Sequence, residues 1–258
     1  MTSPSLPLAA LVSAGVTWAS WRAGALTVPG ALAAWTVGTL ILRGTGWEGG
    51  AVLAAFFVSS NLISRTGDGP LLDAKGNRRD AWQVYANGGP AALAAAVAGW
   101  DTGLRLWLVT ASLAAAAADT WATSVGTRSR VPPRLLWSSH RVPPGTSGGI
   151  TLAGCIGAAI GALVVASTGA LVSGRPLLAP VGTLIGFVGM LADSAVGGAL
   201  QGRFYCVRCS QPSEWRLHRC GSATELKGGL AWMTNDVVNF VSTGLSLGAA
   251  ALVWRWVD

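Results

Sequence analysis

The chain has 258 residues, of which 51% are hydrophobic and only 11% charged, and its formal net charge is +7. Soluble domains carry about 25% charged residues, so that class is excluded. In a soluble protein the basic excess would suggest nucleic acid. In a chain this apolar, basic loops held in the cytoplasm are the simpler cause, and no nucleic-acid partner is expected.

The expected fold is an all-α, polytopic membrane helix bundle of about eight transmembrane helices (seven to nine), forming one domain over residues 1–258. In chain order, the predicted spans are 6–20, 25–42, 47–64, 82–100, 103–125, 149–173, 178–200 and 229–254. A bilayer-spanning helix needs about 20 mostly apolar residues. Only helices and closed barrels satisfy their backbone in lipid, and runs such as 103–125 are too long for barrel strands. Abundant glycine lets membrane helices pack closely, and abundant tryptophan suits the interfacial belts. The first apolar stretch lacks the basic start of a cleavable signal peptide.

Longer polar loops at 65–81, 126–148 and 201–228 carry most of the 18 lysines and arginines. With eight spans, all of these loops fall on one side. The positive-inside rule makes that side cytoplasmic and puts both termini outside. In a bacterium the membrane would be the plasma membrane.

Ionisable groups inside spans are costly and usually functional. Asp119, Asp193 and Asp236 qualify. Each is expected about six residues from a cytoplasmic helix end, or roughly 9 Å deep at 1.5 Å per residue. Each has polar neighbours at helical spacing. Thr123 follows Asp119 by one turn, Gln201 shares the face of Asp193, and Asn235, Asn239, Ser242 and Thr243 form a stripe with Asp236. Gln83 and Asn87 make a similar face at the start of 82–100. Asn, Ser and Thr often serve only to bond neighbouring helices. Acids at one depth point instead to a polar pocket opening to the cytoplasm.

Pro143 to Gly149 leads into a helix from that side. A helix start offers free N–H groups to an anion. Glycines admit a phosphate, and Thr146 or Ser147 could cap the helix or donate to an oxygen. Acids beside basic loops and a glycine turn suggest Mg²⁺ and phosphate, since Mg²⁺ is held by one or two carboxylates plus substrate phosphates. The loop 201–228, inserted on the cytoplasmic side between the last two helices, carries Cys206-x-x-Cys209 and His218-x-Cys220. Four such ligands are what a closed structural zinc site uses. Zinc would fold a loop too short to build its own core, as a cap over the pocket mouth. Cys155 stands alone in a span and reads as packing.

From about residue 25 onward these motifs run in the order Gln83-Val84-Tyr85-Ala86-Asn87-Gly88, Ala118-Asp119-Thr120-Trp121-Ala122-Thr123, Gly145-Thr146-Ser147-Gly148-Gly149, Asp193-Ser194 with Gly197 and Gln201, the Cys/His cluster, and Asn235-Asp236 with Asn239. In this the chain resembles the integral-membrane family, long labelled a domain of unknown function, that contains plant and cyanobacterial phytyl-phosphate kinase. The resemblance implies phosphoryl transfer from a nucleoside triphosphate, CTP or ATP, to a prenyl- or phytyl-type monophosphate in the bilayer. Asp119 and Asp193 would hold Mg²⁺, and Asp236 and Asn87 would complete the catalytic group. Thr146, Ser147, Gly148, Gly149, Thr123, Lys75, Gln83, Gln201, Asn235 and Asn239 would bind phosphate or nucleotide. The family's acidic residue after Ala-Asp-Thr-Trp-Ala-Thr is replaced here by Ser124. Two alternatives share these ingredients: another nucleotide-dependent lipid transferase, of the polyprenol kinase or cytidylyltransferase kind, and a transporter using Asp119, Asp193 and Asp236 as an ion or proton relay. The sequence leaves the oligomeric state open, a homodimer included.

Overall fold

The computed structural model describes residues 3–65, 78–97, 101–136, 138 and 140–257. Among them are the helices α1 (Leu6–Arg22), α2 (Val28–Arg65), α3 (Ala81–Ala96), α4 (Thr102–Gly126), α5 (Leu152–Ser173), α6 (Leu178–Leu200) and α7 (Asn235–Val257). The helix-bundle class stands. By length and composition alone, α5, α6 and α7 are long and apolar enough to cross a membrane.

The helix count, seven against about eight expected, turns on α2. Gly46 interrupts it with φ 72° and ψ −164°, a conformation that glycine adopts readily. A Cβ built on Gly38 would lie 3.8 Å from the Leu53 side chain. Fifteen residues of straight helix would separate the two by about 22 Å, so α2 folds back on itself as a hairpin. Its two arms are the predicted spans 25–42 and 47–64.

Helix α4 is the axis of the bundle. It packs on α2, α3, α5, α6 and α7, which close a ring around it through their own neighbour contacts, while α1 lies outside against α2. Every residue from Leu106 to Ala118 is buried. In lipid there is little hydrophobic drive between helices, so close approach of small residues holds them together. Gly186 of α6 sits against the Ala114 backbone, and Gly169 of α5 against the Thr110 side chain. The buried Trp107 indole donates to the Ala250 carbonyl of α7 at 2.8 Å.

The connections with most of the described basic residues meet at one end of the bundle. The segment after α1 pairs with the segment before α3 through Leu26 and Arg79. Arg78 donates to the Leu26 carbonyl at 2.9 Å, and Arg128, just after α4, donates to the Ile63 carbonyl at 2.9 Å. At the opposite end Arg175 stacks 5.0 Å over the Trp254 ring.

Three helix starts differ from expectation by three residues or more: α2 begins at Val28 rather than 25, and α5 and α7 also start late. Helix α5 begins at Leu152 rather than 149. Residues 149–150 form β2 (Gly149–Ile150), which pairs antiparallel with β1 (Arg134–Leu135). The cap of α5 is Thr151, which accepts from the Gly154 N–H at 2.9 Å. Thr146 and Ser147, the expected caps, lie upstream of that strand. Helix α7 begins at Asn235 rather than 229. Gly229 is left-handed at φ 72°, its backbone lies hard against the Gln201 carbonyl, and Leu230 N–H is taken by Leu200 O at 2.9 Å. Asp236 therefore lies in the first turn of α7, shallower than expected. The 201–228 segment is more than a loop. It is a three-stranded antiparallel sheet, β3 (Arg203–Cys206), β4 (Gln211–Ser213) and β5 (Glu225–Gly228), in the order β4-β3-β5.

Candidate active site and metal cluster

A cavity of about 340 Å³ occupies the basic end of the bundle, where α4 emerges from its ring. The transition is abrupt in sequence. The enclosed run Ala114–Ala118 gives way to Asp119, Thr120 and Thr123, which line the cavity. Small apolar residues let the surrounding helices close on α4 at no cost in unpaired polar groups, whereas closing on a carboxylate without partners is expensive.

Helix α6 contributes Asp193, 8% exposed, whose Oδ2 accepts from the Ser242 hydroxyl of α7 at 2.9 Å. Asp119 and Asp193 thus face the same cavity from different helices. Helix α7 adds Asn235, Asp236 and Asn239 to the lining, and α3 adds Gln83 and Asn87. Gln83 also has a structural role. It closes a capping box with Asp80, accepting from the Asp80 N–H at 3.1 Å while its own N–H is accepted by the Asp80 carboxylate at 2.9 Å. Asn87 donates to the Gln83 carbonyl at 2.8 Å.

The glycine turn forms another wall. Gly145 and Gly148 are left-handed, at φ 83° and 80°, and Gly148 rests on the α6 backbone at Ser194 and Gly198. Thr146 donates to the Pro143 carbonyl at 2.7 Å, bracing the turn. Ser147 donates to Gln201 Oε1 at 2.7 Å, and Gln201 Nε2 donates to Glu214 at 3.3 Å. Gln201, only 3% exposed, is thus a tie between the turn and the small sheet rather than part of the cavity wall. Lys75 lies outside the described residues.

Several lining residues were not singled out from sequence. Arg79 precedes α3, packs 5.6 Å over the Phe56 ring and faces the cavity. Burial lowers its pKa to about 10, so it remains a cation at neutral pH. Arg128, Asn61, Glu214 and Trp215 also line the cavity. The arginines were visible only as loop charge. Nothing in the sequence marked Glu214, which is brought in by the sheet.

The sheet gathers Cys206, Cys209, His218 and Cys220, whose candidate ligand atoms all lie within 4.8 Å of one another. Cys206 ends β3 and Cys209 sits in the turn to β4, where Ser210 takes a left-handed φ of 52°. His218 and Cys220 come from the connection to β5. Cys206 Sγ and Cys220 Sγ are 3.7 Å apart. Metal–sulfur bonds of about 2.3 Å at tetrahedral angles space two sulfurs by about 3.8 Å, so the cluster fits a four-coordinate ion. His218 Nδ1 approaches Cys220 Sγ at 3.2 Å. Hydrogen bonds from Ser222 and His218 lower the Cys220 pKa to about 5. Hydrogen bonding with Cys220 and burial push Cys209 up to about 11. All four cysteines of the chain are free of disulfides.

Residues 11–247 match the family described as integral membrane protein DUF92, and the chain belongs to that family. It is 28% identical to Protein PGR of Arabidopsis thaliana, over 93% of this chain and 94% of that protein. It is 32% identical to an uncharacterized membrane protein of Methanocaldococcus jannaschii over 64% of this chain and 70% of the relative. An uncharacterized membrane protein of Synechocystis is 26% identical over 85% of this chain and 78% of the relative. No solved structure matches. The chain is an integral membrane protein, as its composition implies.

Proposed function

We propose that this DUF92 member is a Mg²⁺-dependent membrane kinase. It would transfer a phosphoryl group from a nucleoside triphosphate, CTP or ATP, to an isoprenoid monophosphate, giving the diphosphate. The observation that carries the reading is the cavity itself. It brings two carboxylates on different helices, Asp119 and Asp193, together with the glycine turn and the cations Arg79 and Arg128.

Two carboxylates facing one cavity suit a divalent cation, and hard carboxylate oxygens suit Mg²⁺. Bound there, the ion would neutralise charge on the transferring phosphoryl group. Arg79 and Arg128 match phosphate oxygens by charge and by their planar forks. The left-handed glycines bring backbone close to a phosphate without a side chain in the way. The acceptor monoester is already ionised, so an acceptor oxygen attacks the γ-phosphorus without a strong base. The bond from that phosphorus to the β–γ bridging oxygen breaks, and the nucleoside diphosphate leaves with the electron pair. Ser124, lining the cavity where the family carries an acid, offers only a hydroxyl, so Asp119 would hold the ion with Asp193 or Asp236, which line the same cavity.

The basic end is read as cytoplasmic by the positive-inside rule, in the plasma membrane if the host is a bacterium. A site at the helix ends lets a lipid tail stay in the bilayer while its head reaches the nucleotide. Transporter sites tend to lie near the midplane, which favours the kinase over the relay. Zinc is the ion we assign to the Cys/His cluster, from its ligand count and sulfur spacing. The test is purified protein with phytyl or geranylgeranyl monophosphate and labelled ATP or CTP. Labelled diphosphate is expected, and none with either nucleotide sinks the reading. Asp119→Asn should abolish product while the fold persists.

A further inference from the structure

Asn239 carries an unexplained atom. It sits one turn into α7, lines the cavity and is 8% exposed. Among the described residues, its side-chain Oδ1 is buried without a hydrogen-bond partner. A buried acceptor left unpaired costs about 1–3 kcal/mol, so a ligand that satisfies it is expected. Its surroundings decide which kind. The Asn239 backbone carbonyl accepts from Ser242 at 3.1 Å and from Thr243 at 2.7 Å. The same Ser242 hydroxyl donates to Asp193 at 2.9 Å. One hydroxyl has one proton, so Ser242 divides it between the Asp193 carboxylate and the Asn239 main chain, and none is left for the Asn239 side-chain oxygen.

Asn239 Oδ1, Asp193 and Asp119 are thus acceptors from three helices around one cavity. A substrate hydroxyl could satisfy one of them. A cation satisfies all three at once, and an amide oxygen is an ordinary hard ligand. We propose that Asn239 is a direct ligand of the divalent cation held by Asp119 and Asp193, with Ser242 as the residue that positions it, rather than a phosphate contact as the sequence suggested. This rests on the metal part of the kinase reading and not on the reaction.

The test is Mn²⁺ titration of the purified protein without nucleotide, followed by the loss of the free-ion paramagnetic resonance signal. Manganese prefers oxygen ligands, so the thiolate cluster does not compete for it. Asp193→Asn should abolish binding. Asn239→Leu should weaken it by about tenfold or more, as for a lost metal contact. Asn239→Asp, which keeps the oxygen, should bind as well as wild type or better. Ser242→Ala should weaken binding less, with Ser242→Thr restoring it. Wild-type affinity in Asn239→Leu overturns the proposal. If that variant misfolds, loss of Mn²⁺ by a folded Asn239→Asp overturns it instead. Absence of binding by wild type at millimolar Mn²⁺ overturns both this proposal and the metal part of the kinase reading. Intact Mn²⁺ behaviour with no phosphoryl transfer would sink the kinase and leave the ligand assignment standing.

Discussion

Gly148→Ala tests whether the glycine turn positions substrate or merely connects two helices. Gly148 has φ 80°, and an added Cβ would sit 2.5 Å from Gly198 Cα and 2.9 Å from the Ser194 carbonyl. Both obstacles are backbone of α6 and cannot rotate away. The left-handed conformation alone costs an alanine about 1–2 kcal/mol. Overpacking adds about 1–3 kcal/mol. Carbon contacts relax at about 3.5–4.0 Å, so the turn must retreat by about 1 Å. In a site built on positioning, a shift of that size can cost about a hundredfold in rate. The control is Gly174→Ala, at the left-handed C-cap of α5, where φ is 71° and nothing lies within 4 Å of the new Cβ. It should lose only the conformational term. Thermal unfolding in detergent and turnover with labelled nucleotide measure both effects. Equal unfolding shifts and unimpaired turnover in the two variants would refute the close seat of the turn on α6 and its part in positioning.

Gln201→Leu removes both side-chain hydrogen bonds of the amide, one from Ser147 of the turn and one to Glu214 beside the sheet. It should cost about 1–3 kcal/mol and raise KM for nucleotide more than it lowers kcat; an unchanged KM would deny the link. Cys209→Ser should drop bound zinc well below one equivalent per chain by elemental analysis. It should also open 201–228 to protease while leaving the helices folded; full zinc retention would remove Cys209 from the ligand set. Trp107→Phe loses the 2.8 Å bond to the Ala250 carbonyl and leaves a gap where the second ring of the fully buried indole packed. Side-chain hydrogen bonds in membranes are worth about 0.6–1.7 kcal/mol and the cavity adds to that cost, so a fall in melting temperature is expected, and none would show that neither matters.

What could be read from sequence was whatever depends on local polarity. Span 178–200 coincides with α6 because a mostly apolar stretch, interrupted by Asp193 and Ser194, ends at Gln201, where the backbone leaves the helix. The starts of α5 and α7 were misplaced because Gly149–Ile150 and Gly229–Leu230 are apolar yet bonded to partners distant in sequence. Apolarity alone does not distinguish a helical turn from a buried strand end. Arg79 and Glu214 escaped notice for a similar reason: their place in the cavity depends on which segments meet, and no local pattern records that.

The acids were legible for the reason that the cavity exists. The axis helix stays enclosed from Leu106 to Ala118, a run without an ionisable residue. At Asp119 that condition ends, and Asp193 and Asn239 on the flanking helices reach the same cavity. Helices that could seal a void against alanine cannot seal it against carboxylates without leaving them unsatisfied. The expense that makes an acid conspicuous in an apolar run therefore also holds the bundle open at that point. Sequence can identify the carboxylates from their individual cost. The unpaired oxygen of Asn239 is different, because asparagine is common as glue between helices and only its surroundings show that none of the described residues bonds it.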